Sequence, residues 1–212
     1  MNLYEIKDEC RKNLNKYTIQ AFSFIPKIEY PTILDIGCGT GVPSLSLIEI
    51  CNGTIYAVDS DQLCLNWFKE KVTALNLNDR IKIFNESIFN PALFHFRFDI
   101  ILAEGLLNVI GFKKGLPILI NYLKHDGYLI IHDELKNDSE KRIIFEKSNL
   151  KLLNSFEIDK DVWLNEYFNC LEMKIKNIND DNQFENEIKE IYEHKSDSNN
   201  LYSIYYILQN ET

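Results

Sequence analysis

An apolar strand that breaks into three closely spaced glycines constrains this chain more than any other stretch. Ile33-Leu34-Asp35-Ile36 runs directly into Gly37-Cys38-Gly39-Thr40-Gly41 and then, from about Pro43, into a helical segment. Glycine lacks a Cβ, so the backbone can bend tightly there and a ligand can lie against it. Pro43 suits the first turn of a helix, where N–H groups have no intrahelical partner. Strand, turn and helix make the first unit of a doubly wound α/β sheet. In such sheets ligands sit outside the carboxyl ends of the strands, and Asp35 is expected to aim into that crevice.

The glycine spacing narrows the ligand. A dinucleotide-binding turn reads Gly-x-Gly-x-x-Gly, which lets a pyrophosphate reach the helix N-terminus. Here Gly41 comes one residue early and Asp35 stands two residues before Gly37, which argues against a nicotinamide-dependent oxidoreductase. Residues 53–59 then read as a second buried strand ending in Asp59, 18 residues past Gly41. A carboxylate at that point offers paired acceptors to the cis-diol of a ribose. The alternative is that Asp59 caps the helix predicted over 61–75. Residues 80–87 read as a third strand and residues 98–105 as a fourth.

The run Asp35-Ile36-Gly37-Cys38-Gly39-Thr40-Gly41 resembles motif I of the class I S-adenosylmethionine-dependent methyltransferases. Asp59 stands where motif II of that family holds the adenosyl ribose. The resemblance implies a cofactor site for S-adenosyl-L-methionine built from Asp35, Gly37, Cys38, Gly39, Gly41 and Asp59. It also puts Ser60 beside the adenine, with Glu86 and Ser87 in the slot that contacts the adenine edge. Residues 103–112 are similar to a small-molecule subgroup whose loop reads Ser-Glu-Gly-Ala and then Asn-Ile-Gly-Phe, and residues 162–168 resemble its Trp-(Trp)-x-x-Tyr-(Tyr). The Asn/Asp-Pro-Pro-Tyr/Phe run of methyltransferases acting on nucleobase and glutamine amino groups is missing from this loop. The reaction so implied is direct displacement on a sulfonium methyl, which needs alignment more than covalent help. Glu104 is the candidate catalytic base, with His132 second. Binding of the methionine amino group, or organisation of the loop, are the alternatives for Glu104.

The expected fold is a Rossmann-like, doubly wound α/β sheet of seven strands with helices on both faces. It is mostly parallel, with an antiparallel strand near the C-terminus. One domain over residues 1–212 is expected, with residues 1–30 a helical cover and residues 31–212 the core. The cover either closes the cofactor crevice or packs on the sheet edge. Residues 151–158 read as the sixth strand and residues 201–208 as an antiparallel edge strand. Between them lie a helix from about Lys160 and a polar, exposed helix and loop over 177–200. His132, Asp133 and Glu134 at the end of the fifth strand are read as rim groups and a helix cap, with no metal site expected.

The bulk numbers exclude several partners. A net charge of −9 with scattered Lys and Arg opposes binding to nucleic acid or an anionic membrane. No apolar run approaches the ~18 residues of a membrane span, and the N-terminus lacks a signal-peptide core. Five cysteines without a Cys-x-x-Cys pair read as reduced thiols in a cytoplasmic protein. The expected partner is a small-molecule acceptor, on a monomer or homodimer. A non-catalytic, cofactor-binding scaffold is the rival reading.

Overall fold

Seven short runs rich in Ile, Leu, Val and Phe make the strands, as expected where a sheet is covered on both faces. The computed structural model describes residues 2–90, 93–178 and 184–211. The strands are β1 (Thr32–Ile36), β2 (Thr54–Asp59), β3 (Ile81–Asn85), β4 (Phe98–Glu104), β5 (Leu123–Glu134), β6 (Leu150–Ile158) and β7 (Ser203–Asn210). They form one sheet in the order β3-β2-β1-β4-β5-β7-β6. β1 through β5 pair in parallel, and β7 runs antiparallel to both β5 and β6. The strand order reverses between β1 and β4, which opens a crevice at their carboxyl ends.

Strand alternation divides the core in two. Leu34, Ile36, Ile101 and Ala103 face one apolar layer, while Ile33, Ile100 and Leu102 face the other. Helices α1 (Leu3–Arg11), α2 (Asn15–Ser23), α3 (Val42–Ile50), α4 (Gln62–Ala74), α5 (Leu107–Ile110), α6 (Phe112–Tyr122) and α7 (Asp138–Lys147) follow in chain order. They are joined by α8 (Lys160–Val162), a wide π-helical stretch over Trp163–Phe168, α9 (Asn169–Lys176) and α10 (Glu185–Ser196). None of the described helices is long and apolar enough to cross a membrane.

Two expectations need correction, and one of two open placements is not the one adopted. The strand predicted over 201–208 is antiparallel as expected, but it lies inside the sheet and β6 takes the edge. Seven of the eight β7 residues are buried, which its near-continuous apolar run already favoured. The N-terminal helices do not pack on the sheet edge. Ile6 and Cys10 of α1 join Phe168, Leu171, Ile175 and Ile191 in a third small core, while Ala21 of α2 packs on a sheet face. Nor are all five cysteines reduced: Cys10 of α1 is bonded to Cys170 of α9, 160 residues apart. Cys38, Cys51 and Cys64 are free.

Candidate functional site

The glycine turn adopts backbone angles that side chains resist. Gly37, Gly39 and Gly41 have φ of 73°, 51° and 77°, in the left-handed region that glycine enters without penalty. Their neighbours give them different roles. A Cβ on Gly41 would lie 2.1 Å from the buried Phe68 ring of α4, so Gly41 permits helix packing. A Cβ on Gly37 would press on Leu106 at 3.0 Å. A Cβ on Gly39 would meet nothing within 4 Å, and the same holds for Gly105 after β4, also left-handed at φ 66°. Bare backbone therefore faces open space at the ends of both β1 and β4, as a flat ligand laid on it requires.

Asp59 ties this turn to the second strand. Its carboxylate accepts from the Gly39 N–H at 2.8 Å and from the Asp61 N–H at 2.9 Å. One bond falls on each oxygen, which leaves each with an acceptor site for a diol. It does not cap α4. That role belongs to Asp61, which accepts from the Leu63 and Cys64 N–H groups. Gly37, Asp59, Ser60, Glu86, Ser87 and Gly105 line one cavity of about 300 Å³ together with apolar Val58, Leu106 and Ile110. Glu86 sits at its exposed rim and accepts from Asn90 at 3.1 Å.

Asp35, Cys38, Gly39 and Gly41 do not line that cavity. Asp35 is 3% exposed and accepts from the Ser44 hydroxyl at 2.6 Å, underneath the turn. Burial, reinforced by the Glu104 and Asp59 carboxylates against the Ser44 bond, pushes its pKa up to about 7. Burial likewise pushes the Cys38 thiol well above its ordinary range. The Asp35 shift has a sign that can be tested. Between about pH 4 and pH 7 the folded protein keeps a proton on Asp35 that the unfolded chain has shed, so stability falls as pH rises through that window. Asp35→Asn should flatten this fall, which is on the order of 4 kcal/mol over the whole window and about 3 kcal/mol above pH 5. Urea unfolding at pH 5 and pH 8 checks it, and an unchanged pH dependence in the variant would refute the assignment.

Glu104 ends β4 with its side chain 6% exposed. It accepts from Arg11 of α1 at 2.5 Å, from Thr18 of α2 at 2.7 Å and from Tyr205 of β7 at 3.0 Å. Three of a carboxylate's roughly four acceptor sites are thus filled. On the other flank Asp8 of α1 accepts from Thr40 in the glycine turn and from Trp67 and Lys71 of α4. Helix α1 therefore bridges the crevice, fastened to the turn by Asp8 and to β4 by Arg11.

Beyond Gly105 and Glu104 lies a second cavity of about 350 Å³, walled by β5, Trp163–Phe168 and α10. His132 lines it but is not a rim group. It is 6% exposed, stacked on Tyr205 at 4.3 Å, and its Nε2 lies 2.9 Å from the Ser203 hydroxyl. Burial, with Arg11 adding to it, lowers its pKa to about 3, so the imidazole is neutral near pH 7. Asp133, 4% exposed, pairs with Lys141 at 2.6 Å. Arg11, Thr18, Ser203 and Tyr205 carried no sequence signal, since each sits in an ordinary helix or strand pattern.

Comparisons with known proteins bear on the fold that carries this arrangement. Residues 33–127 match the family described as "Methyltransferase domain". A ribosomal protein L11 methyltransferase from Agathobacter rectalis is 26% identical over 159 residues, which cover 71% of this chain and 46% of the relative. One from Prochlorococcus marinus is 32% identical over 128 residues, covering 58% of this chain and 41% of the relative. The chain thus spans less than half the length of these curated relatives. Among solved structures, the cyclase SpnF superposes with a TM-score of 0.78 at 13% identity, covering 92% of this chain and 81% of that one. A methyltransferase from Thiobacillus denitrificans in complex with S-adenosyl-L-homocysteine gives 0.71 at 14% identity, covering 92% and 90%. At such identities these likenesses establish the shared fold.

Proposed function

We propose that this chain, which carries a class I S-adenosylmethionine-dependent methyltransferase domain, binds S-adenosyl-L-methionine in the Asp59 crevice and methylates a small molecule held in the adjoining cavity. The observation that carries the reading is the pair of bare, left-handed glycines, Gly39 and Gly105, facing open space on either side of the switch point. Asp59 has spare acceptors for ribose hydroxyls, and Glu86 and Ser87 stand where an adenine edge would reach. When bound, the cofactor supplies an electrophilic methyl on a sulfonium. The protein's own part is to hold donor and acceptor in line and to keep water out. Gly105 lines both cavities, so it marks the passage between them.

Glu104 enters this proposal as a positioning residue. Its carboxylate fastens Arg11 and Thr18, hence α1 and α2, against the mouth of the passage. Asp35 and Cys38 act from beneath the turn, by shaping it, and Gly41 by admitting Phe68. A protein acceptor is the second reading, and the names of the curated relatives favour it. The cavity volume favours a small molecule, since about 300–1,000 Å³ is the usual size of a ligand pocket.

Isothermal titration with S-adenosyl-L-homocysteine tests the cofactor site. Asp59→Ala should weaken binding by about 1.5–3 kcal/mol, the usual size for hydrogen bonds to a charged group. Undiminished affinity in a folded variant would remove Asp59 from the site. Turnover against a metabolite panel and against ribosomal protein L11 separates the two acceptor readings, and cofactor binding without any turnover would leave the scaffold reading in place.

A further inference from the structure

Two pieces of chain outside the sheet wall the cavity beyond Gly105. One is Arg11 at the end of α1, and the other holds Trp163, Tyr167 and Phe168 of the π-helical stretch. The Cys10–Cys170 bond joins these pieces, one residue before Arg11 and two residues after Phe168. Helix α1 packs on α9 and on the π-helical stretch, through Ile6 and Cys10 of the third small core. Lys7 pairs with Glu187 of α10 at 3.1 Å, and Glu9 pairs with Lys174 of α9. A helix of nine residues is too short to persist unaided. Its place therefore depends on these contacts, on the Asp8 and Arg11 fastenings, and on the disulfide. The two sulfurs are unequally placed. Cys10 is fully buried and Cys170 is half-buried, so a small thiol has its approach from the Cys170 side, and exchange depends on such access.

We infer that this disulfide is a redox-sensitive seam. Intact, it holds α1 against α9 and keeps the cavity walled, and its reduction by a small thiol opens that wall. Its bearing on catalysis rests on the proposed reading of this cavity as the acceptor site. A low-molecular-weight thiolate attacks the Cys170 sulfur and forms a mixed disulfide there. The Cys10–Cys170 bond breaks onto Cys10, which takes a proton from water. A second thiolate attacks the small-molecule sulfur of the mixed disulfide. Cys170 leaves as a thiolate and is protonated, and the two small thiols end joined to each other. Two electrons thus pass from the thiols to the protein. Thiol sulfurs pack at van der Waals contact, farther apart than bonded ones, so the seam between Arg11 and Tyr167 must widen. The cofactor crevice is built differently. Its described lining residues come from neither piece, so reduction acts on the acceptor side of Gly105.

Peptide mapping and hydrogen exchange on the full chain test this. After iodoacetamide blocking, Cys10 and Cys170 should be found joined in the air-oxidised protein and both alkylated after dithiothreitol. On reduction, amide exchange should quicken at least about tenfold over residues 3–11 and 163–176, a modest share of what a long-range disulfide contributes. Strands β1 to β4 should respond clearly less. Affinity for S-adenosyl-L-homocysteine by calorimetry should move less than about threefold, as expected of sites that share no partners. Cys170→Ser should show the quickened exchange without dithiothreitol and no further response to it. Reduction of the unaltered chain gives the same readout if that variant misfolds. Unjoined cysteines in the oxidised protein, unchanged exchange, or acceleration spread equally over the strands overturns the inference. So does a roughly tenfold loss of S-adenosyl-L-homocysteine affinity on reduction, which would put the seam at the cofactor crevice. If S-adenosyl-L-homocysteine binds neither form while the local response persists, the cofactor reading falls and the seam stands. If it binds and the local response is absent, only the seam falls.

Discussion

Glu104→Gln is expected to lower thermal stability and turnover together. The substitution keeps an acceptor for Thr18 and Tyr205 but turns an amide toward Arg11, whose guanidinium is only 20% exposed. Breaking a buried pair from one side costs about 3–5 kcal/mol, and the partial exposure of Arg11 discounts this to about 2–4. Arg11→Gln should reproduce both losses, because it releases the same fastening. A general base would behave differently. Glu104→Gln would then lose roughly 10²-fold in turnover with stability intact, and Arg11→Gln would stay near normal. Melting curves and rates on the same preparations decide between the two roles.

Gly41→Ala is expected to be the most damaging single methyl in the turn. The left-handed backbone costs about 1–2 kcal/mol and the collision with Phe68 about 1–3 more. At ~2–4 °C per kcal/mol for a chain of this size, melting should fall by roughly 10 °C. Gly39→Ala carries only the backbone cost of about 1–2 kcal/mol, since its Cβ enters open space. Its loss should appear in binding, with S-adenosyl-L-homocysteine affinity reduced at least about tenfold because a methyl stands where backbone and ligand would touch. Matching stability losses in the two variants would show that Phe68 yields. Unchanged affinity in Gly39→Ala would move the ligand away from the turn.

What could be read from sequence was what local backbone chemistry dictates. The glycine turn, the strand ends at Asp59 and Glu104, and the start of α4 all follow from short-range patterns. Contacts made across long stretches of chain could not be read. Arg11 reaches Glu104 over 93 residues, and Asp8 reaches Trp67 over 59. Asp8 looks like an ordinary surface carboxylate until α1 is laid across the crevice, and the donors that meet Glu104 come from distant helices and a distant strand. Cys10 and Cys170 have no spacing that betrays their pairing. His132 and Asp133 suggested a polar rim because nothing in sequence says that β7 and α7 close over them from two sides. Asp35 was expected to aim into the crevice, whereas its carboxylate accepts from Ser44 beneath the turn.

The placement of β7 between β5 and β6 bears on how a ribosome delivers this protein. Strands β1 to β5 are synthesised before β6 and β7, and their parallel pairing with one another needs neither of those two. β6 emerges next and has β7 as its partner in the sheet, so it must stand off from β5 by one strand width until residues 203–210 leave the exit tunnel. The same residues bring Ser203 and Tyr205 to His132 and Glu104. A nascent chain can therefore assemble the Asp59 crevice before its neighbouring cavity exists. The order of translation presents the strands of the two halves of the site at different times, and β7 is the strand that joins them.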